Sequence, residues 1–178
     1  MAALTSGKAL THQLQTDTLL MPVAAGVRIF PGALVCSNFR GFAVPAADEA
    51  YYVFEGIAMH PCDVNGSHQR LTNDEADNRL GDDGDIYIKV QRRGRVRVVS
   101  EDAAAQAYMS CRCYIVDDQT VAVVPASTTH EILCGRMDRL ISASEIEMSI
   151  DCRTHCTSKE SIVTSTAAEA TTTTTGQA

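Results

Sequence analysis

The sequence predicts a mainly β fold with one short helix, an extended N-terminal arm and a low-complexity C-terminal tail. Three observations predict it. Apolar and polar residues alternate with period two over 86–98 and 145–150, as in half-buried strands. Short apolar runs between 22 and 59 are separated by Gly and Pro turn signals. The final stretch, TSTAAEATTTTTGQA, has no aromatic residue and little to bury.

Length and composition fit one domain with appendages. The chain has 178 residues, is 45% hydrophobic and contains no Trp, so its core must consist of Val, Ile, Leu and Ala. A net charge of −7 argues against nucleic-acid binding by the whole surface. No apolar run approaches the ~18 residues of a membrane span. The start, MAALTSGKALTHQLQ, lacks the apolar centre of a secretory signal. We therefore expect no nucleic-acid or membrane partner.

Changes in composition divide the chain into three parts. Residues 1–21 are polar and weakly patterned and are assigned to the arm, and residues 151–178 form the Thr/Ala-rich tail. The β-rich domain covers 22–150. Within it, residues 60–84 are polar and are predicted to form an exposed loop or insertion, with a helical turn or two at 73–80.

The first half of the domain is predicted to contain short strands at 27–29, 33–35, 42–44 and 51–59, where Gly56 marks a bulge or a close approach. The clearest strand signal is 85–99, which bends or bulges at Gly94. One set of alternating side chains is expected to face inward: Ile86, Ile88, Val90, Val96 and Val98. The other set is expected to face solvent: Tyr87, Lys89, Gln91, Arg95 and Arg97.

The second half begins with a predicted short helix over Ser100–Ala107, because a Ser at the N-cap precedes acidic residues and alanines. The sequence DDQT (117–120) is predicted to join strands 113–116 and 121–124 in a hairpin. Further strands are predicted at 132–141 and 145–150. In the last of these, Ile146, Met148 and Ile150 are expected to face inward, and Glu145 and Glu147 outward.

Seven cysteines are present, an odd number that favours reduced thiols in a cytosolic compartment: Cys36, Cys62, Cys111, Cys113, Cys134, Cys152 and Cys156. Cys111-x-Cys113 and Cys152-x-x-x-Cys156, with His155, have spacings that a zinc site could use. Packed free thiols are the favoured interpretation, and a metal-binding module is kept as an alternative.

Two charged clusters are candidate sites for binding an ion or a macromolecule. Gly81–Asp85 offers several carboxylates but lacks the distal Glu of a calcium loop, so it is interpreted as a solvated turn. The sequence RRGRVR (92–97) is the one dense basic cluster, and Arg95 and Arg97 share a strand face. A solvated strand face is favoured, contact with an acidic protein surface comes second, and nucleic acid third, because no aromatic residue is interleaved.

No catalytic set stands out, and we expect the protein not to be an enzyme. The histidines are scattered, with several in predicted loops or appendages: His12, His60, His68, His130 and His155. A triad assembles in space, so spacing alone does not decide the matter. We expect no catalytic residue, cofactor or metal.

Several segments, in one order, resemble the capsid decoration, or cement, proteins of tailed bacteriophages. These are the start MAALT, the block PVAAGVRIFPGALVCSNFRGFAVPAAD (22–48), the sequence GIA (56–58), the strand 84–98, the hairpin CYIVDDQTVA (113–122) and CGRM (134–137). The similarity covers about 1–150 with gaps. The longer 60–83 region, the tail after Asp151 and a last strand without Trp depart from the family pattern.

The resemblance implies a compact β-barrel-like domain of the β-tulip type, which binds the outer surface of the capsid and clamps neighbouring subunits of the major capsid protein. It also implies a trimer or dimer, made in the cytoplasm of the bacterial host and located in the virion. The residues expected to contact the capsid are Ala2, Leu4, Thr5, Leu10, Leu14, Leu19, Arg95 and Arg97. A host-surface or glycan-binding module displayed on the virion is a further alternative.

Overall fold

A computed structural model of the protein describes residues 17–62 and 75–152. The secondary structure of this part of the chain is mainly β, with two short 3-10 helices at Gln106–Tyr108 and Pro125–Ser127. The strands in chain order are β1 (Thr18–Pro22), β2 (Arg28–Ile29), β3 (Leu34–Ser37), β4 (Ala43–Pro45), β5 (Val53–Cys62), β6 (Ala76–Asp77), β7 (Tyr87–Gln91), β8 (Arg93–Ser100), β9 (Arg112–Ile115), β10 (Thr120–Ala122), β11 (Leu133–Ser142) and β12 (Glu145–Asp151).

The C-terminal strands form a closed barrel in the order β10-β8-β12-β11-β9. β10 closes the ring, because it pairs parallel to β8 and antiparallel to β9. The hairpin between β9 and β10 is the one that the sequence predicts. Its turn is fixed by the Asp117 carboxylate, which accepts hydrogen bonds from the amides of Gln119 and Thr120 at 2.9 and 2.7 Å. Closure gives each barrel strand two neighbours, and this confirms the predicted barrel-like fold.

The inward-facing side chains of the alternating strands fill the barrel. Val96 and Val98 of β8 and Ile146, Met148 and Ile150 of β12 are buried, as predicted. They meet inward residues of β9 and β11 in one apolar cluster. The barrel core contains the aliphatic side chains that the composition predicts, and methionines and cysteines also contribute to it.

The N-terminal strands form a second, antiparallel sheet in the order β1-β7-β5-β3-β4. This sheet curls until its two edges approach, because Val23, which directly follows β1, bridges Ala43 of β4. The small pair β2–β6 accompanies it. Apolar residues of these strands form a second buried cluster: Met21, Val23, Ile29, Ala33, Val35, Ala43, Ala58, Ala76, Ile88 and Val90.

The sheet and the barrel share one core. Leu34, Phe54 and Ile57 of the sheet belong to the same buried cluster as the barrel residues. A hydrogen bond also joins the two parts, from the amide of Leu34 to the carbonyl of Asp118 in the β9–β10 hairpin, at 2.7 Å. The two β units are therefore packed together rather than separated by a linker.

The chain passes from the sheet to the barrel at Gln91–Gly94, where β7 ends and β8 begins. Gly94 has φ +145°, a value that L-residues rarely adopt, so the prediction of a special backbone position there is confirmed. Gln91, predicted to face solvent, is only 2% exposed. Its burial follows from its place at the junction, where it lies against both Gly56 and Gly94. Gly56 is thus the close-approach site that the sequence predicts.

The predicted helix over Ser100–Ala107 is wrong. Ser100 ends β8, and the only helical residues nearby are the 3-10 turn at Gln106–Tyr108. The amides of Glu101 and Ala104 instead donate to the carbonyls of Val121 and Ala143, which holds the segment against the barrel. The Asp102 carboxylate does not cap a helix. It accepts hydrogen bonds from the amides of Val123 and Val124, both at 3.0 Å, and from the hydroxyl of Ser127 at 2.6 Å.

Two predicted boundaries also change. The loop assigned to 60–84 is shorter, because 60–62 belong to β5 and Ala76–Asp77 form β6 instead of a helical turn. Asn78 is buried, and its side-chain amide donates to the carbonyls of Val23, Ala24 and Asp82. The predicted arm ends before Thr18, because β1 pairs with β7. The rest of the arm (1–16), the loop centre (63–74) and the tail from 153 lie outside the described residues.

Candidate interaction surface

Six arginines project from the outside of the barrel. They lie on β8, β9 and β11, and all six are exposed. We call this surface the arginine face, and its members are Arg93, Arg95, Arg97, Arg112, Arg136 and Arg139. It holds six of the 15 Lys and Arg residues of a chain whose net charge is −7.

Strand register arranges these arginines in rows across the barrel. In one row, Arg95 of β8 is opposite Ser149 of β12, which is opposite Arg136 of β11, which is opposite Arg112 of β9. Neighbouring strands are about 4.8 Å apart. Arg112 and Arg136 are therefore direct neighbours across two adjacent strands.

A second row carries opposite charges. Arg97 of β8 is opposite Glu147 of β12, which is opposite Arg139 of β11. Glu147 keeps the outward direction predicted for it, but its exposure is only 9%. An arginine occupies the paired position on each neighbouring strand. Glu147 therefore faces outward as predicted, but its side chain is largely buried.

Two of the six arginines are engaged within the chain. Arg93 forms an ion pair with Asp151 at 3.2 Å, and Arg95 forms one with Asp138 at 3.1 Å. Asp138 also accepts the hydroxyl of Ser149 at 3.1 Å. A register shift between Met137 and Arg139 makes Asp138 the extra residue of a bulge, which brings this carboxylate to the outer face.

The other four arginines have no such partner. Within 17–62 and 75–152, no carboxylate lies within ion-pair distance of Arg97, Arg112, Arg136 or Arg139. Sequence reasoning singled out Arg95 and Arg97, because β8 shows them as neighbours on one face. It missed the arginines of β9 and β11, which join the face only through barrel register. The available signal was that β9 and β11, like β8, carry exposed Arg residues within strand patterns.

The remaining predicted contact residues fall elsewhere. Ala2, Leu4, Thr5, Leu10 and Leu14 lie outside the described residues. Leu19 is part of β1, where it pairs with Val90 and packs half-buried against the core of the N-terminal sheet. Its assignment to a free arm is wrong, because the ladder to β7 fixes its backbone.

Four cysteines of the described residues are free thiols: Cys36, Cys111, Cys113 and Cys134. Burial raises the pKa of Cys113 to about 12, with smaller contributions from Cys111 and Asp138. Burial also raises the pKa of Cys134, and the neighbouring thiols Cys113, Cys36 and Cys152 add to this effect. Such thiols stay protonated at neutral pH, whereas a zinc ligand must be a thiolate.

The predicted zinc ligands are therefore only partly placed. Cys111 is half-buried, whereas Cys113 and Cys152 are buried in the apolar core. His155 and Cys156 lie outside the described residues. Within the described ranges, no group of three or more His, Cys, Asp or Glu side chains is arranged to hold a metal ion.

One histidine pairs with a carboxylate. His130 Nδ1 is 3.3 Å from Asp48 Oδ1, and the amides of Thr129 and His130 donate to the same carboxylate. Desolvation opposes ionisation of Asp48, but these amide bonds and His130 lower its pKa below the usual value. The pair joins the loop after β4 to the loop before β11. In the described part of the chain, His130 makes no hydrogen bond to a Ser, Thr or Cys side chain that could complete a triad.

Comparison with known proteins leaves the family open: no protein-family model matches this chain, and no curated protein matches it. The structure shows the fold class: this is a mainly β protein with a closed five-stranded barrel. The resemblance to capsid decoration proteins stays a prediction. Among residues 17–62 and 75–152, no helix has the length and apolar content to cross a bilayer.

Proposed function

We propose that the protein is a structural virion component that binds the outer surface of a phage capsid and stabilises the lattice of the major capsid protein. The observation that carries the proposal is the arginine face, a cluster of exposed cations on a rigid barrel in an otherwise acidic chain. The resemblance of 22–48 to decoration proteins supports the same function.

The barrel suits such a role mechanically. Its strands close into a ring and share a core with the N-terminal sheet, so an external load is spread over many backbone hydrogen bonds. A rigid body loses little conformational entropy on docking, and more of its contact energy therefore remains as affinity. In a dimer or trimer, several weak contacts act together because each one raises the effective concentration for the next.

Binding to capsids tests the proposal. Purified protein is mixed with expanded capsids that lack it, and the capsids are then sedimented. We expect saturable co-sedimentation and a higher temperature of capsid disruption in the decorated sample. Unexpanded capsids, whose outer lattice differs, are the matched control. Protein that remains in the supernatant at saturating concentrations contradicts the proposal.

Exposed aromatic residues favour a second candidate, a host-surface module displayed on the virion. Phe39 is 80% exposed and Tyr51 is 64% exposed. Both extend beyond the paired residues Ser37 and Val53, which places them at the same end of adjacent strands. Exposed aromatic rings at one end could stack on sugar rings. A screen against host surface glycans distinguishes this candidate: binding that is lost in Phe39→Ala and Tyr51→Ala supports it.

A further inference from the structure

We propose that Arg97, Arg112, Arg136 and Arg139 form a docking site for an acidic protein surface. This inference deepens the proposed function and rests on it only for the identity of the partner, the major capsid protein. The docking chemistry itself follows from the ion pairs and the strand register of the barrel.

The six arginines differ in their pairing within the described residues. Arg93 and Arg95 are already engaged by Asp151 and Asp138, so their guanidinium groups are partly neutralised within the chain. The four members of the docking site retain their donors for an external acceptor. An arginine fork binds a carboxylate through two parallel hydrogen bonds, which gives both strength and orientation.

The positions of two of these arginines are unfavourable for the fold. Arg112 and Arg136 are directly opposite each other on neighbouring strands. Like charges in such a pair destabilise a sheet. No described carboxylate compensates for them. The pair therefore contributes nothing favourable to the fold, whereas two adjacent guanidinium groups suit a partner that presents clustered carboxylates.

The carboxylates on the arginine face favour a protein partner over a nucleic acid. Glu147 lies in register between Arg97 and Arg139, and Asp138 and Asp151 lie on the same face. A continuous row of phosphates would meet these carboxylates, whereas a protein surface can leave a gap or place a cation opposite them. The only aromatic residue of β8, β9, β11 and β12 is Tyr114, which is buried. The face therefore offers no ring for base stacking.

Fluorescence anisotropy tests the docking site with two probes, a labelled poly-glutamate peptide and a labelled DNA strand of similar charge. The variants are Arg112→Gln/Arg136→Gln and Arg97→Gln/Arg139→Gln. Their matched control is Arg40→Gln/Arg79→Gln. It removes the same charge from residues outside the barrel that pair with Asp83 and Asp77.

We expect the peptide to bind the full chain in low salt and to bind each docking-site variant about tenfold more weakly. The control variant should change the affinity less than about twofold, because its arginines are engaged. Equal losses in control and docking-site variants overturn the proposal, since they indicate a general charge effect. Tighter binding of DNA than of peptide also overturns it, as does an absence of peptide binding. The four side chains are exposed, and two independent double variants keep the test valid if one fails to fold.

The capsid assay separates this inference from the proposed function. If the peptide depends on the four arginines but the protein does not bind capsids, the docking site stands and the decoration role fails. If capsids are bound equally well by the chain and by both docking-site variants, the docking site is wrong and the decoration role stands.

Discussion

Two glycines at the junction between the sheet and the barrel should respond unequally to substitution by alanine. Gly56 has φ +140° and Gly94 has φ +145°. A Cβ atom at Gly56 would collide with the main-chain carbonyl of Gln91, which is held in the ladder between β5 and β7. A Cβ atom at Gly94 would lie 2.5 Å from the side-chain amide nitrogen of Gln91, which can move. Gly41, with φ +86° and no atom within 4 Å of such a Cβ, is the control.

These geometries predict an order of stability losses. Gly41→Ala should cost about 1–2 kcal/mol, the price of a left-handed backbone for an L-residue. Gly94→Ala adds the loss of the 2.7 Å hydrogen bond from Gln91 to the carbonyl of Arg93, for a total of about 2–4 kcal/mol. Gly56→Ala adds a clash that only a backbone shift can relieve, for a total of about 3–6 kcal/mol.

Urea unfolding followed by far-UV circular dichroism measures the three losses, because the chain has no Trp for fluorescence. The expected order is Gly56→Ala, then Gly94→Ala, then Gly41→Ala, with little change in the dependence on urea concentration. If Gly56→Ala is no more destabilising than Gly41→Ala, the close approach of β5 to β7 at the junction is wrong. If Gly94→Ala lowers the free energy of unfolding as much as Gly56→Ala does, the side chain of Gln91 does not move away from the new methyl group.

Three further perturbations follow from buried or hydrogen-bonded groups. Asp102→Ala should cost about 2–4 kcal/mol in urea unfolding, because two amides and a hydroxyl lose their shared acceptor. The lowered pKa of Asp48 stabilises the fold above the unfolded-state pKa of about 3.9, and this stabilisation is lost as pH falls through the folded-state pKa. Asp48→Asn should therefore lower stability at pH 7 and flatten its fall in acid, and an unchanged acid profile contradicts the role of the His130 loop. Cys111 should react with a thiol reagent well before buried Cys113, as mapped by peptide mass spectrometry; equal rates would contradict the burial of Cys113.

The period-two alternation of apolar and polar residues, together with turn-forming residues, was enough to predict most strands. Val96 and Val98 alternate with arginines, and this local pattern identifies β8 without any tertiary information. Asp117 caps its own turn, so the β9–β10 hairpin is also a local feature. The segment after Ser100 has the composition of a helix start, but Asp102 is occupied by amides more than twenty residues away. Such long-range bonds override local propensity and leave no local signal.

The candidate surface was only half visible in the sequence. Arg95 and Arg97 are two residues apart, so period two alone places them together. Arg112, Arg136 and Arg139 are distant along the chain, and they join the face because β12 pairs with both β8 and β11. Closure of the barrel depends on the parallel pairing of β10 with β8, which no local pattern indicates.

In the proposed function, this barrel binds the outside of a capsid through its arginine face. Cryo-electron microscopy of expanded capsids saturated with the protein tests this binding mode. We predict ordered density on the outer shell, with β8, β9, β11 and β12 turned toward acidic residues of the major capsid protein. Bare capsids, or bound protein with this face turned to solvent, would contradict the account.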